Sequence, residues 1–404
     1  MRIGILSGNP RLYSTRRIRE ACLARGHKVR IFHPLKFWML VEEDKPQLFY
    51  RGRRIADLDA VIPRIGASIT HYGCAVVRQF EQMGVFSVAS ANAIAVARDK
   101  LRSIQILSRH EMGLATTAFV RQRGDVLRAI EQVGGAPVII KVLEGTQGIG
   151  VILADSPKIA QAIIETLQSA KQNVLIQHFV AESHGRDIRA FVVGDRVVAA
   201  MRRLAQGDEF RSNVHQGART EAVKLEPTYE RAAIRAAQVL GLRVAGVDML
   251  ESSSGPKIME VNSSPGLEGI EGATGIDVAS AIVDLIEDQV LFPELDIRQR
   301  LTLSAGYAIM EVPIEPSSKL AHCALRDSGL RELDIVVLSI RRGSLAIPNP
   351  RGAREILPGD ILLCYGKALT LKGMAPQRRR RRKRTRARTT GPATSVDPEK
   401  PDLS

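Results

Sequence analysis

Apolar-rich runs alternate with amphipathic stretches along the first hundred positions of the chain. The runs at 2–6, 28–32 and 60–65 predict buried strands, and residues 14–25 predict a helix. Strands that alternate with helices in this way predict an open α/β sheet. The turn after the first strand, Gly8-Asn9-Pro10, lacks the G-x-G-x-x-G spacing, so no dinucleotide site is expected there.

A second unit is predicted from residue 98 onward, where a longer series of elements begins. The predicted strands lie at 137–142, 174–177, 187–193, 244–250 and 257–262. The predicted helices lie at 101–111, 157–170, 228–240 and 277–288. The sequence Phe292-Pro293-Glu294 interrupts the pattern. We therefore expect an α/β domain at 1–97 and a larger α+β domain at 98–291.

The pattern of predicted elements changes over residues 300–374, which indicates a small third domain. A strand is predicted over 307–313, a helix over 317–329, a strand over 334–340, and a turn that leads into a strand over 357–366. The last segment, 375–404, carries ten Lys or Arg against three Asp or Glu and cannot build a core. We therefore expect a disordered basic tail there.

Composition is typical of an ordinary soluble protein. Hydrophobic residues make up 45% of the 404 positions, and no apolar run approaches the roughly 18 residues that a membrane helix needs. The N-terminus lacks the features of a signal peptide, so we expect a cytoplasmic protein without membrane contact. The four cysteines and eight histidines show no metal-ligand spacing. The net charge of +15 suits anionic substrates or a nucleic-acid neighbour and identifies neither.

A glycine-rich loop is the first candidate for chemistry. The strand before it ends at Lys141, and the loop consists of Glu144, Gly145, Thr146, Gln147, Gly148, Ile149 and Gly150. Glycines allow backbone N–H groups to approach phosphate oxygens closely, and a lysine adds positive charge. The loop is not a Walker A loop, because no Gly-Lys-Ser/Thr follows it. An ordinary hairpin turn remains the alternative interpretation.

Two carboxylates and an amide form the second candidate. Glu260 and Asn262 are two residues apart on a predicted strand and therefore share a face, and Asp248 lies on the preceding strand. Oxygen ligands of this kind suit Mg²⁺, which completes its shell with water and substrate phosphates. Unrelated polar residues at strand ends would produce the same pattern.

Charged residues between these two candidates form the third. They are Lys100, Asp187, Arg189, Arg202, Arg203 and Arg211. Cations grouped near a triphosphate stabilise the charge that develops during phosphoryl transfer. For any single arginine, a solvated position on the surface is the competing interpretation.

The order of these features resembles the ATP-grasp superfamily, and most closely its RimK family of α-L-glutamate ligases. The resembling segments include AVIPRIGASIT (60–70), GGAPVIIKVLEGTQGIGV (134–151), DIRAFVVGDRVVAAM (187–201) and MEVNSSPGLEGIE (259–271), and together they span 1–290. The resemblance implies a pre-ATP-grasp α/β domain at 1–97, followed by a catalytic ATP-grasp core of two subdomains at 98–291.

The resemblance also implies a role for each matching residue. Lys100 and Lys141 would contact phosphates, and 144–150 would form a mobile lid. The hinge at 177–180, with His178 and Phe179, would meet adenine through its backbone, and Asp187 or Glu182 would bind the ribose. The remaining family positions are Arg211, Ser212 and Asn213 for the nucleotide, and Asp248, Glu260 and Asn262 for two Mg²⁺ or Mn²⁺ ions.

The activity implied by the family is ATP-dependent addition of L-glutamate, through an acyl phosphate, to the C-terminus of the sixth small-subunit ribosomal protein. Arg189 and Arg203 are expected to hold the acceptor carboxylate or the transferred phosphoryl group. Arg202 and Gln216 depart from the family pattern near the expected acceptor site, so a different acceptor is also considered. His178 departs from it at the hinge, which argues against a side-chain role there but not against a backbone role. The alternatives are another ATP-grasp amino-acid ligase, a non-catalytic nucleotide sensor, and an RNA-binding or ribosome-binding protein.

Residues 300–374 resemble the TrkA-C (RCK-C) module of potassium-transport regulators. The similar segments include EVPIEPSSKL, VVLSIRRG and LPGDILLCYG. The resemblance implies a small α+β domain that regulates the enzyme through a small-molecule ligand or makes it a homo-oligomer. The basic tail at 375–404 is a candidate for phosphate contacts with ribosomal RNA, and a solvated tail without a partner is the alternative.

Overall fold

The described residues of the computed structural model are 1–43, 45–110, 112–143, 150–207, 210, 218–291, 306–343 and 345–374. The backbone divides into two compact units, Met1–Pro293 and Glu294–Ser404. The segment expected to be a disordered tail, 375–404, lies outside the described residues. No helix in the described ranges is long and apolar enough to cross a membrane.

A parallel sheet in the order β2-β1-β6-β7 forms the first layer of the larger unit. Strands in this region are β1 (Arg2–Ser7), β2 (Lys28–Phe32), β3 (Phe37–Leu40), β4 (Gln47–Tyr50), β5 (Arg53–Ile55), β6 (Ala60–Arg64) and β7 (Phe86–Ser87). Helices are α1 (Tyr13–Ala24), α2 (Thr70–Gln82), α3 (Ala91–Arg98) and α4 (Lys100–Ser108). Five residues of β1 are buried in succession, as in a parallel strand covered on both faces. The small antiparallel sheet β3-β4-β5, absent from the prediction, packs against α2.

A second sheet carries the predicted phosphate-binding strand. Its strands, in the order β10-β9-β11-β8, are β8 (Thr117–Phe119), β9 (Val138–Val142), β10 (Val151–Ala154) and β11 (Val174–His178). The helices α5 (Val126–Gln132) and α6 (Pro157–Ser169) form a core with Val138 and Ile140. Because side chains alternate along a strand, Lys141 projects from the opposite face of the sheet.

The third sheet of this unit is antiparallel, in the order β14-β13-β12-β15-β16. Its strands are β12 (Arg186–Val193), β13 (Arg196–Leu204), β14 (Arg219–Ala222), β15 (Val244–Leu250) and β16 (Lys257–Asn262). The following helices are α7 (Pro227–Val239), α8 (Glu268–Thr274) and α9 (Val278–Leu291). One face joins the core that contains α7, through Ile188, Ala190 and Val247. The other face is apolar at one end, where Phe191 and Met201 join the core of α9.

The smaller unit contains an antiparallel sheet in the order β17-β20-β18-β19. Its elements are β17 (Tyr307–Pro313), β18 (Val336–Arg342), β19 (Leu345–Pro348), β20 (Ile361–Lys367) and α10 (Ala368–Met374). Arg342 forms a bidentate pair with the buried Asp360, whose carboxylate also accepts the N–H of Leu357. This pair joins β18 to the Pro-Gly-Asp turn before β20.

The helix predicted over 317–329 is wrong. Only Leu325–Asp327 forms a short 3-10 turn in that segment. The backbone N–H groups of His322 and Leu325 donate to the carbonyls of Ile356 and Arg354, so they are not available for helical bonds. His322 also adopts a φ of 64°, which a right-handed helix excludes. Pairing with a distant segment therefore overrides the local helical pattern.

The predicted strands and helices of the larger unit are present, with ends within three residues of their expected positions. The predicted combination of an open α/β sheet with antiparallel α+β layers is therefore confirmed. The domain boundaries at 97, 291 and 300 stay predictions.

Candidate active site

The polar end of the five-strand sheet brings most of the predicted residues together. Asp248 on β15 lies directly opposite Glu260 on β16 and opposite Arg189 on β12. Asp187, two residues before Arg189, lies opposite Arg203 on β13. Residues directly opposite each other in an antiparallel pair share a face and touch. Asn262 pairs with Gly246, so it extends the same face by one more position.

Two arginines and two aspartates on this face form one buried ion-pair network. Arg189 binds Asp248 with both ends of its guanidinium, Nε to Oδ1 and Nη2 to Oδ2, each at 2.6 Å. Arg203 binds Asp187 in the same bidentate way, and its Nη2 also lies 3.1 Å from Oδ2 of Asp248. Arg203, Asp187 and Asp248 are at most 3% exposed. Two positive and two negative charges thus neutralise each other within the protein.

The network holds Asp248 and Arg203 in their charged forms. Burial alone would raise the pKa of Asp248, but Arg189 and then Arg203 lower it below its usual range. Burial acts to lower the pKa of Arg203, and the carboxylates of Asp248 and Asp187 overcome this and raise it. Asp248 is therefore an anion throughout the neutral pH range.

Glu260 and Asn262 offer oxygen atoms that the protein does not use. Glu260 is exposed and Asn262 is half-buried, and neither side chain has a hydrogen-bond partner among the described residues. Asp248 Oδ1 accepts one hydrogen bond and keeps a lone pair. The three oxygen donors fit a hard divalent ion such as Mg²⁺. The described ranges contain no metal-binding group of three or more His, Cys, Asp or Glu, since only two of these donors are carboxylates.

Two lysines, Lys100 on α4 and Lys141 on β9, lie within electrostatic reach of each other. Lys100, at the start of α4, donates from Nζ to the carbonyl of Leu143, 3.0 Å away, just before the glycine-rich loop. Burial lowers the pKa of Lys141 to about 8, with Lys100 adding to the effect and Glu260 and Asp248 opposing it. The charge of Lys141 is therefore within electrostatic reach of both acidic residues. Lys141 and the two acids thus belong to one site, although Lys141 and Asp248 are 107 residues apart in the sequence.

The predicted hinge at 177–180 has definite contacts. The backbone N–H of His178 donates to the carbonyl of Thr116, 2.8 Å away, and its ring Nδ1 lies 3.1 Å from the carbonyl oxygen of Val133. Phe179 makes an edge contact with the ring of His184. Glu182, two residues after the hinge, is exposed and accepts a hydrogen bond from the hydroxyl of Ser253.

Several predicted residues are not part of the described structure. Glu144, Gly145, Thr146, Gln147 and Gly148, together with Arg211, Ser212, Asn213 and Gln216, lie outside the described residues. Gly150 is described: its φ of 80° requires glycine, and its carbonyl accepts from Val142. Arg202 lies on the opposite face of β13 and pairs with Glu221 and Glu251 rather than with the network.

Sequence reasoning overlooked two arginines close to this site, Arg64 and Arg98. Arg64 is the last residue of β6, and Arg98 is the last residue of α3. One signal in the sequence pointed to Arg64: ligands of open α/β sheets bind at the carboxyl ends of the parallel strands. Arg98 had no comparable signal.

Comparison with protein families matches nearly the whole described chain. Residues 97–286 match the RimK-like ATP-grasp domain, 1–94 the RimK PreATP-grasp domain, and 309–371 the TrkA-C domain. A probable alpha-L-glutamate ligase of Rhodopirellula baltica is 60% identical over 384 residues, 95% of each chain. One of Pseudoalteromonas translucida is 54% identical over 287 residues, 71% of this chain and 95% of that protein.

Solved structures show the same fold at low identity. The ATP-grasp ligase PsnB, complexed with minimal precursor, Mg and ADP, has a TM-score of 0.58 at 22% identity, over 72% of this chain and 97% of that one. A RimK domain ATP-grasp protein from Sphaerobacter thermophilus has a TM-score of 0.53 at 22% identity, over 71% of this chain and all of that one. These likenesses confirm the predicted ATP-grasp fold, and the family matches confirm the predicted pre-ATP-grasp and TrkA-C-like domains.

Proposed function

Because the chain belongs to the RimK-like ATP-grasp family and is an ATP-dependent ligase, we propose that it joins L-glutamate to the carboxyl terminus of a protein or peptide. The observation that carries the proposal is that Lys141 lies within electrostatic reach of Asp248 and Glu260, which pair across β15 and β16. The 60% identical relative, named a probable alpha-L-glutamate ligase, supports glutamate as the amino acid. The acceptor we favour is the sixth small-subunit ribosomal protein.

The proposed reaction has two steps. A carboxylate oxygen of the acceptor attacks the γ-phosphorus of ATP, ADP leaves, and an acyl phosphate forms. The amine of glutamate then attacks the acyl carbon, phosphate leaves, and the amine loses a proton as the amide forms. The protein contributes mainly position and positive charge. Mg²⁺ held by Asp248, Glu260 and Asn262 would supply charge neutralisation at the phosphates.

The nucleotide contacts are assigned by combining this geometry with the family positions. Lys100 and Lys141 bind phosphate oxygens, and Arg211, Ser212 and Asn213 add further contacts. The backbone around His178 and Phe179 meets adenine. For the ribose, Glu182 is the stronger candidate, because it is exposed, whereas both oxygens of Asp187 are bound by Arg203. A lid at 144–150 excludes water from the acyl phosphate.

The two network arginines take different roles in this proposal. The side chain of Arg189 is 19% exposed, so it can contact the transferred phosphoryl group while it holds Asp248. The side chain of Arg203 is 4% exposed and has three short contacts to carboxylate oxygens. We therefore assign Arg203 to positioning Asp248, and not to direct contact with the acceptor.

The decisive assay measures ADP release with ATP, Mg²⁺ and glutamate, with and without the ribosomal protein. The expected result is release that needs both substrates, and a mass increase of the acceptor by whole glutamate residues. An acceptor with an amidated C-terminus is the matched control and should not react. Turnover that is independent of glutamate, or absent with every amino acid, contradicts the proposal and favours the nucleotide-sensor alternative.

The TrkA-C-like domain is proposed to act in oligomerisation or regulation, through a homo-oligomeric contact or a small-molecule ligand. Its family match over 309–371 supports a separate module beside the catalytic one. Sedimentation of the full chain at increasing protein concentration tests the homo-oligomer, and a monomer at all concentrations contradicts it.

The proposed RNA contact of 375–404 predicts binding that weakens steeply with salt.

The lowered pKa of Lys141 predicts a pH dependence of nucleotide binding. Below its pKa of about 8, Lys141 is charged and attracts phosphate; as the pH rises above 8, the charge is lost. The KM for ATP should therefore rise, by up to tenfold per pH unit, between about pH 8 and 10. Lys141→Arg keeps its charge and should give a flat profile over that range. A flat wild-type profile contradicts the role of Lys141 in binding ATP.

A further inference from the structure

Two arginines beside the candidate active site form no ion pair with an acid of the described residues. Arg98 donates from Nη2 to the carbonyl of Ile65, 2.5 Å away, while its Nε is buried without a hydrogen-bond partner among the described residues. Arg64, one residue before Ile65 and half-buried, has no hydrogen bond or ion pair within the described part of the chain. The two arginines thus lie near the carboxyl end of β6, within electrostatic reach of each other.

No ion pair within the described part of the chain neutralises these two charges. Burial, and then the positive charge of Arg98, lower the pKa of Arg64 to about 10. Burial also lowers the pKa of Arg98, with Glu260 opposing the shift. Arg189 and Arg203, by contrast, are neutralised by Asp248 and Asp187. Two half-buried cations of like charge are unfavourable in the free protein, and a bound anion would relieve them.

The position of the pair separates it from the phosphate lysines. Glu260 influences both Arg98 and Lys141, so it lies within electrostatic reach of both. The loop that follows β16 links this region to β6, since Ser264 Oγ lies 3.5 Å from the carbonyl oxygen of Pro63. The pair belongs to the N-terminal sheet and α3, whereas Lys141 belongs to the second sheet. The pair and Lys141 are thus anchored on different elements, so each can hold a separate anionic group.

We propose that Arg64 and Arg98 form a binding site for a carboxylate of the incoming amino acid. The proposal rests on the proposed function, in which glutamate supplies the attacking amine and carries two carboxylates. The acceptor carboxylate must lie at the γ-phosphate, next to Lys141 and the metal-binding oxygens. A glutamate carboxylate held by these guanidinium groups, near Glu260, would orient the amine toward the acyl carbon.

The test compares Arg64→Gln with Arg54→Gln, an exposed arginine on β5 of the same domain. Losing a charge-assisted hydrogen bond predicts a rise of about 10- to 100-fold in the KM for glutamate with Arg64→Gln. The KM values for ATP and for the acceptor should stay within about twofold of wild type, and Arg54→Gln should change none of them. Equilibrium dialysis of labelled glutamate should show the same loss of binding without turnover.

The KM values for ATP, for the acceptor and for the amino acid distinguish the possible outcomes. An equal rise in the KM for ATP assigns the pair to the nucleotide, and a rise for the acceptor alone assigns it to the acceptor carboxylate; either result overturns the proposal, as does no change. If wild type turns over only with another amino acid, glutamate is wrong, and the carboxylate site is then tested with that amino acid. If wild type turns over with no amino acid, both proposals fail.

A stability measurement separates this role from a structural one. Because Arg64→Gln removes repulsion from Arg98, the Tm of the variant without substrates should equal or exceed that of wild type. Added glutamate should raise the Tm of wild type more than that of the variant. A variant that is less stable and still gains the full shift from glutamate overturns the proposal.

Discussion

Replacing Glu260 with glutamine should reduce kcat by at least about 100-fold and leave the fold intact. Glu260 is exposed and has no hydrogen-bond partner among the described residues, so its charge does not stabilise the protein through local contacts. It lies directly opposite Asp248 and within electrostatic reach of Lys141. In the proposed mechanism its carboxylate would help to hold Mg²⁺, and an amide would be a weaker ligand.

The matched control for this substitution is Glu131→Gln, an exposed glutamate on α5. Both variants should melt within a degree or two of wild type, and only Glu260→Gln should need a higher Mg²⁺ concentration for half-maximal activity. Partial recovery of kcat at high Mg²⁺ would locate the defect in ion binding. A Glu260→Gln enzyme with normal kcat and normal Mg²⁺ dependence would show that this residue does not hold the ion.

The sequence carried enough information for the acidic pair but not for the network around it. Glu260 and Asn262 are two residues apart on one predicted strand, so they were expected to share a face, and Asp248 was expected on the preceding strand. The pairing of Asp187 with Arg203 depends on the register between β12 and β13. That register was not predicted, so both residues were assigned to ligands instead of to each other.

The other features that the sequence did not predict depend on contacts between residues that are far apart in the chain. The cluster of Arg64 with Arg98 depends on packing between the end of β6 and the end of α3. In the smaller unit, residues 322–326 pair with 352–356, and this pairing replaced the expected helix. Patterns within a short window predict an element, but they do not predict which distant backbone will accept its hydrogen bonds.

Replacing Arg203 with methionine should destabilise the larger unit by about 3–5 kcal/mol, because it leaves buried carboxylates without their partner. Arg203 makes short contacts to both Asp187 and Asp248, and all three side chains are almost fully buried. The corresponding drop in Tm is roughly 5–15 °C. Activity should fall as well, since Asp248 loses one of the two cations that position it.

The control for this substitution is Arg202→Met, at the neighbouring residue. Arg202 also pairs with two acids, Glu221 and Glu251, but on the other face of β13, where all three side chains are partly exposed. Surface pairs of this kind contribute about 0–1 kcal/mol, so Arg202→Met should lower the Tm by no more than a few degrees. Restoring neutrality with Asp187→Asn in the Arg203→Met background should recover part of the lost stability.

The stability of the two proteins should also respond differently to acid. In wild type the pKa of Asp248 is lowered, so its contribution to stability is present above the pKa of the unfolded chain and is lost as the pH falls through the folded value. Burial already raises the pKa of Asp187 in wild type, and removing Arg203, which opposes that rise, should raise it further. Protonation then relieves the buried charge, so Arg203→Met should gain stability relative to wild type as the pH falls from 7 toward 5. Parallel pH profiles for the two proteins would contradict the buried network as the source of the effect.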